Sequence, residues 1–169
     1  PLPPASISAV GPTSVCSPST VTLNANTGSG LTYQWRLNTG NIPGATAASY
    51  AAPSTGNYDC RVSNSCGTAI SNSIAVTVIL PFTASISAAG PTSFCPGDNV
   101  SLNASPTGTS FTYQWRYNSA NIPGATASTY PAIGTGNYDC IVSNSCGSST
   151  SNSIAVTVTS LFTASISAA

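Results

Sequence analysis

Six cysteines, Cys16, Cys60, Cys66, Cys95, Cys140 and Cys146, have the widest chemical reach of any residues in this 169-residue chain. Four of them fall in near-copies of one phrase, YDCRVSNSCG at 58–67 and YDCIVSNSCG at 138–147. A thiol can act as a nucleophile, a metal ligand or half of a disulfide. The nucleophile needs a neighbour that favours the thiolate, a base or a cluster of cations. This sequence has no histidine, and its side-chain cations are Arg36, Arg61 and Arg116. Ser–His and Cys–His pairs, His-containing zinc sites and imidazole acid–base chemistry are therefore excluded. Six cysteines at matched positions point to an oxidising compartment, where disulfides form, and hence to secretion.

The carboxylates narrow the chemistry further. Glutamate is absent, and Asp59, Asp98 and Asp139 are scattered. Neither a glycosidase carboxylate pair nor a dense calcium cage is available within a repeat. Asp98 lies in the turn CPGDN, and Ser19 holds the matching place earlier in the chain. No glycine-rich phosphate loop opens a helix, because the pattern contains no helix. The expectation is of no enzyme, no catalytic residue, no metal and no cofactor. Three Arg against three Asp leave no net charge, hence no field to draw nucleic acid or an anionic membrane surface. The longest apolar run, around 75–82, is too short and interrupted for membrane insertion. No charged-then-apolar leader opens the chain, so a signal peptide has been removed or the chain is an excised piece.

The elements that must position these residues are short and repeated. ASISA occurs at 5–9, 84–88 and 164–168, and 35 of 48 residues are identical between 31–78 and 111–158. The chain reads as repeat 1 at 1–80, repeat 2 at 81–160 and the first strand of a third repeat at 161–169, cut from a longer array. Within a repeat, SISAV, TVTLNAN, LTYQWRL, NYDCRVS and IAVTV alternate apolar and polar, with breaks at GPT, SPS, TGSG, NTGNIPG and NSCG. About seven such strands in some 80 residues predict an all-β sandwich. Alternation turns Tyr33, Trp35 and Leu37 to one face and Thr32, Gln34 and Arg36 to the other. Trp35 and Trp115 are read as core residues, in preference to an aromatic platform for sugars.

The series VTLNA, then YQWR, then GNYDC, VSNSCG and a closing IAVTV resembles an immunoglobulin-like domain. The full pattern is similar to the tandem immunoglobulin-like repeats of large bacterial surface and secreted proteins, of adhesin, stalk or filament type. The resemblance implies an extracellular or cell-surface location, repetition and no single ligand. It makes Tyr58 and Tyr138, each two residues before a cysteine, tyrosine-corner residues of the core. It also places the YQWR and YDC strands side by side, so that Arg36 and Asp59, and Arg116 and Asp139, are expected as surface ion pairs of roughly 0.2–1 kcal/mol. A polar ligand contact on that face is the alternative.

The same resemblance frames the cysteines. Three per repeat cannot all pair within one repeat. In the common arrangement, the cysteine of the YDC strand bonds to one on the VTLNA strand, but Ala25 and Ala104 stand there, so Cys60 and Cys140 lack that partner. Cys16 is expected at one end of the sandwich and Cys66 at the other, farther apart than the roughly 4.4–6.8 Å between disulfide Cα atoms. The preferred pairing is an inter-repeat bond from Cys16 to Cys146, with Cys66 and Cys95 bonded to further repeats. The rival pairs Cys16 with Cys60 and Cys95 with Cys140.

The connections ILPFT (79–83) and TSLFT (159–163) contain no glycine, and Phe82 and Phe162 are expected to plug the junctions. Two sequons, at Asn99 and Asn103, occur only in repeat 2 and are weak signals of glycosylation. Two functional classes then compete. One is a structural fibre, filament or stalk whose partners are neighbouring copies of the repeat and lateral chains. The other is an adhesin repeat that binds glycans or proteins through its loops or the YQWR/YDC face. A spacer within a large secreted enzyme is a third reading. The invariance of NIPGATA, TGNYDC and VSNSCG between repeats favours the structural class.

Overall fold

A computed structural model describes residues 1–159, and the expected third-repeat strand at 161–169 and its Phe162 lie outside them. The chain divides into two compact units, Pro1–Pro81 and the part from Phe82 onward. The first contains β1 (Ile7–Val10), β2 (Ser14–Cys16), β3 (Val21–Ala25), β4 (Thr32–Leu37), β5 (Gly40–Asn41), β6 (Ser49–Ala52), β7 (Gly56–Asn64), β8 (Gly67–Ile70) and β9 (Ile74–Ile79). The second repeats them as β10 (Ser85–Ala88), β11 (Ser93–Phe94), β12 (Val100–Ser105), β13 (Thr112–Tyr117), β14 (Ala120–Asn121), β15 (Thr129–Ala132), β16 (Gly136–Asn144), β17 (Gly147–Thr150) and β18 (Ile154–Val158). No helix occurs among the described residues.

Each unit is an immunoglobulin-like sandwich of a three-stranded sheet, β1-β3-β6, and a larger sheet, β2-β9-β7-β4-β5, with β8 also on β7; the second unit has the same order. Nine strands per unit replace the expected seven. The difference lies in two breaks. GPT interrupts the first strand, and its second piece, β2, switches sheets to run parallel to β9. SNS interrupts the last strand between β8 and β9.

Alternation accounts for the core. Val21, Leu23 and Ala25 of β3 face Trp35, Tyr58, Cys60, Val62 and Val76 in a single buried cluster, and repeat 2 builds its own from the matching residues. Both indole rings are fully buried, and their N–H groups donate to Ala47 O and Ala127 O at 2.9 Å, so neither is a surface platform. Tyr58 and Tyr138 form the expected corners, donating to Ser54 O at 2.9 Å and Gly134 O at 3.1 Å. Phe82 begins the second unit. It packs on the second core, edge-on to Phe111 at 5.1 Å between ring centroids.

One local conflict is repeated in both units. The two-residue turn from β4 to β5 puts Asn38 and Thr39 at φ +48° and +71°, and Asn118 and Ser119 at +47° and +68°. Such turns favour Asn-Gly, because only glycine takes the second position without strain. Asn38 suits its place, since its Oδ1 accepts from Asn57 N at 3.0 Å. Thr39 is β-branched in a left-handed conformation that costs side-chain-bearing residues about 1–2 kcal/mol. Replacing Thr39 and Ser119 together by Gly is expected to raise stability by about 1 kcal/mol per repeat, net of the extra chain entropy glycine carries. A higher urea midpoint at unchanged slope is the expected reading, and an unchanged or lower midpoint would contradict it.

Candidate functional site

The cysteines occupy three kinds of place, each set by strand register. Cys60 pairs across the ladder with Trp35, and Cys140 with Trp115, so alternation turns both thiols into the core, where they are fully buried. Both are free. Burial raises their pKa above the ordinary thiol value, which holds them protonated and unreactive. Ala25 and Ala104, the small residues on the opposing sheet, are buried in the same two clusters.

Cys16 ends β2 in parallel register with Ile79, and Ser17 N donates to Ile79 O at 2.9 Å. Because β7 pairs Gly56 with Val76, the Cys16–Ile79 pair lies beyond the Gly56 end of β7. Cys66 lies past the other end, in the turn from β7 to β8, where its N–H donates to Asn64 Oδ1 at 2.8 Å. Nine residues of β7 separate those ends by about 26 Å, several times the reach of a disulfide. Cys60 is also well along β7 from Cys16, and the rival pairing of Cys16 with Cys60 and Cys95 with Cys140 does not occur, since Cys60, Cys95 and Cys140 are all free.

Of the remaining four, two are bonded and two are free. Cys16 and Cys146 are disulfide-bonded. Cys66 and Cys95, their counterparts in the opposite repeats, are free and exposed. In freshly purified, unoxidised protein a chromogenic thiol reagent is therefore expected to find two reactive thiols in the native state, four after denaturation and six after reduction. Four in the native state would mean that the core thiols are accessible.

The charged face differs from its sequence expectation. Arg36 and Asp59 are directly opposite on β4 and β7, as expected. The pair is bidentate, Nε to Oδ1 at 2.6 Å and Nη2 to Oδ2 at 2.9 Å, and Asp59 is buried rather than a surface residue. Arg116 and Asp139 repeat it at 2.5 and 3.0 Å. The carboxylate hydrogen bond raises the pKa of each guanidinium further above its ordinary value. Two of the five guanidinium N–H groups go to the carboxylate, and Arg61, two residues along β7 from Asp59, is exposed. Asp59→Asn is expected to cost about 2 kcal/mol, since it leaves a largely covered guanidinium without its carboxylate. Arg61→Ala should stay within about 0.5 kcal/mol. Equal small shifts of the urea midpoint for both variants would show that the pair has only surface value.

Sequence reasoning missed a polar latch. Asn72, in the SNS break, accepts from Ile7 N at 2.9 Å and donates to Ile7 O at 3.1 Å, tying β1 of the small sheet to the break beside β9. Asn152 does the same for Ile86 at 2.8 and 3.1 Å. Ser71 and Ser151 accept from Cys60 N and Cys140 N at 2.9 Å. The unchanged phrase SNSIAVTV in both repeats was the available signal. Asn99 is exposed beside the Asp98 turn, whereas Asn103 lies mid-strand in β12 between β10 and β15. No cluster of three metal-ligating side chains is present among the described residues.

No family model matches the chain, and no curated protein matches it either. Among solved structures it is similar to the N-terminal four immunoglobulin domains of Dscam1 isoform 8.4, at 20% identity and TM-score 0.57, over 94% of this chain and 48% of that one. Isoform 6.9 gives 19% identity and TM-score 0.56, over 92% and 46%. The complex of a mouse coronavirus receptor-binding domain with its murine receptor gives 18% identity and TM-score 0.51, over 92% and 100%. The fold is immunoglobulin-like. At such identities the likeness extends to architecture alone, and the chain spans just under half the length of the Dscam1 structures.

Proposed function

We propose that this chain is a structural building block of an extracellular fibre, filament or bacterial cell-surface stalk made of head-to-tail immunoglobulin-like repeats. The observation that carries the reading is the placing of cysteine at both ends of each sandwich, with the core thiols left free. In a lone domain, a disulfide does most for stability inside the sandwich. Here the inward Cys60 and Cys140 face alanine, and the cysteines that bond, Cys16 and Cys146, belong to ends. A bond from Cys16 of one repeat to Cys146 of the next belongs to this proposal. The unchanged turns of the two repeats support it further, because copies that each bound a different ligand would vary there. The reading gives the segment no catalytic step, in keeping with a sequence that has neither histidine nor glutamate.

An adhesive role is the second reading. It is favoured by the loop from β3 to β4, which differs in sequence from its counterpart between β12 and β13, and by the receptor complex among the similar folds. On the YQWR/YDC face each Asp is held by a bidentate Arg, which engages the carboxylate. Electron microscopy of oxidised, purified chain, run alongside glycan and protein arrays, separates the two. Uniform end-to-end fibres without array binding are expected. Dispersed particles with saturable binding to one glycan or protein class would replace the structural reading with the adhesive one.

A further inference from the structure

We propose that Cys66 and Cys95 are a matched pair of cross-linking thiols, joining Cys66 of one copy of this chain to Cys95 of a second. The inference rests on the structural reading and names the partner and the bond. Neither cysteine makes the argument alone. The second repeat supplies an internal comparison, because Cys146 occupies the Cys66 position and Cys16 the Cys95 position, and both of those are disulfide-bonded. The local frames match as well. Cys146 N donates to Asn144 Oδ1 at 2.8 Å, the same turn and distance as Cys66 on Asn64. Cys95 follows β11, which runs parallel to β18 as β2 does to β9.

The two positions also mark opposite ends of every repeat. Cys66 sits where the chain comes in: Asn64 Nδ2 donates to Pro1 O at 3.1 Å, and a Cβ on Gly67 would lie 2.7 Å from Leu2 Cδ2. In the second repeat Ala84 N donates to Ser149 Oγ at 3.0 Å, at the same end. Cys95 sits where the chain goes out, since Thr159 N donates to Phe94 O at 2.9 Å. When copies follow one another head to tail, the outgoing end of one meets the incoming end of the next. That end-to-end order sets a Cys95 thiol against a Cys66 thiol and opposes no two of the same kind.

The bond forms by thiol–disulfide exchange with a low-molecular-weight disulfide such as oxidised glutathione. The Cys66 thiolate attacks one sulfur of the reagent, forming a mixed disulfide and releasing one glutathione thiolate. The Cys95 thiolate of the second copy then attacks the Cys66 sulfur, forming the inter-chain bond and releasing the second glutathione. Two protein thiols are oxidised, one reagent disulfide is reduced, and two protons pass to the released thiolates or to buffer.

The test uses the chain as it is, with Cys66→Ser and Cys95→Ser variants, oxidised glutathione, non-reducing electrophoresis and peptide mapping. Unsubstituted chain should give a ladder of linked species. Each single variant should lose the ladder, and an equimolar mixture of the two should regain a dimer whose linked peptides carry Cys66 and Cys95. Homodimers of either variant forming as readily as the mixed dimer would overturn the pairing, as would glutathione adducts that never resolve. Retention of two unreactive core thiols in every variant controls for folding. Fibres that persist when both serines are present would sink this inference and leave the structural function standing. Specific cross-linking without fibres would do the reverse.

Discussion

The antiparallel register of β4 on β7 is the constraint on which the rest of each repeat depends. It sets Trp35 opposite Cys60 and Arg36 opposite Asp59 in adjacent rungs. One rung points inward and the next outward, so a single register buries the indole and the thiol and brings the guanidinium to the carboxylate. A slip of β4 by one residue would exchange its two faces, placing Gln34 and Arg36 in the core and the indole in water. The glycine that starts β7 protects this register. A Cβ on Gly56 would stand 2.3 Å from Leu37 Cδ1, and one on Gly136 2.3 Å from Tyr117 Cε2. At that position the TGNYDC phrase keeps glycine because the neighbouring strand's side chain lies over the backbone.

With six charged side chains in 169 residues, the fold satisfies its open backbone groups by other means. Asn72 presents its amide as a peptide mimic to both polar groups of Ile7, and Asn26 does similar work, accepting from Ser6 N at 2.9 Å and donating to Pro4 O at 3.0 Å. Gln34 donates to Ile42 O at 2.7 Å, where the strand ladder ends. No buried side-chain polar atom lacks a partner among the described residues. The abundance of Asn, Ser and Thr thus has a local use at each break, beyond keeping the surface polar.

How much of this was legible depended on the kind of signal. Period-two alternation carried the sheets and the buried Trp35, because side-chain direction follows from the strand alone, whereas the partnership of Arg36 with Asp59 also needed the resemblance that sets their strands side by side. The burial of Asp59 was not legible in this way. It depends on how closely a planar guanidinium lies over its partner, which alternation does not encode. The split of the first and last strands was also hidden, since GPT read as an ordinary turn and SNS was not read as a break, whereas one moves β2 to the other sheet and the other supplies the latch. The ends of the sandwich followed from fold and register, which is why the sequence could separate Cys16 from Cys66. It led to the expectation that Cys66 and Cys95 bond to further repeats, whereas both are free and their counterparts Cys146 and Cys16 are disulfide-bonded.

That difference bears on how the sandwich is held together. The thiols of Cys60 and Cys140 are free in cores that also bury Ala25 and Ala104, so cohesion between the sheets rests on packed apolar side chains and the Asn72 latch. A buried free thiol behaves as a small hydrophobe and contributes packing without constraining the unfolded chain. Moving the bonding cysteines to the ends gives up that constraint inside the domain. Under the structural role proposed above, a bond from one repeat to the next would close a loop that includes the connection between them, where chain entropy is otherwise unconstrained.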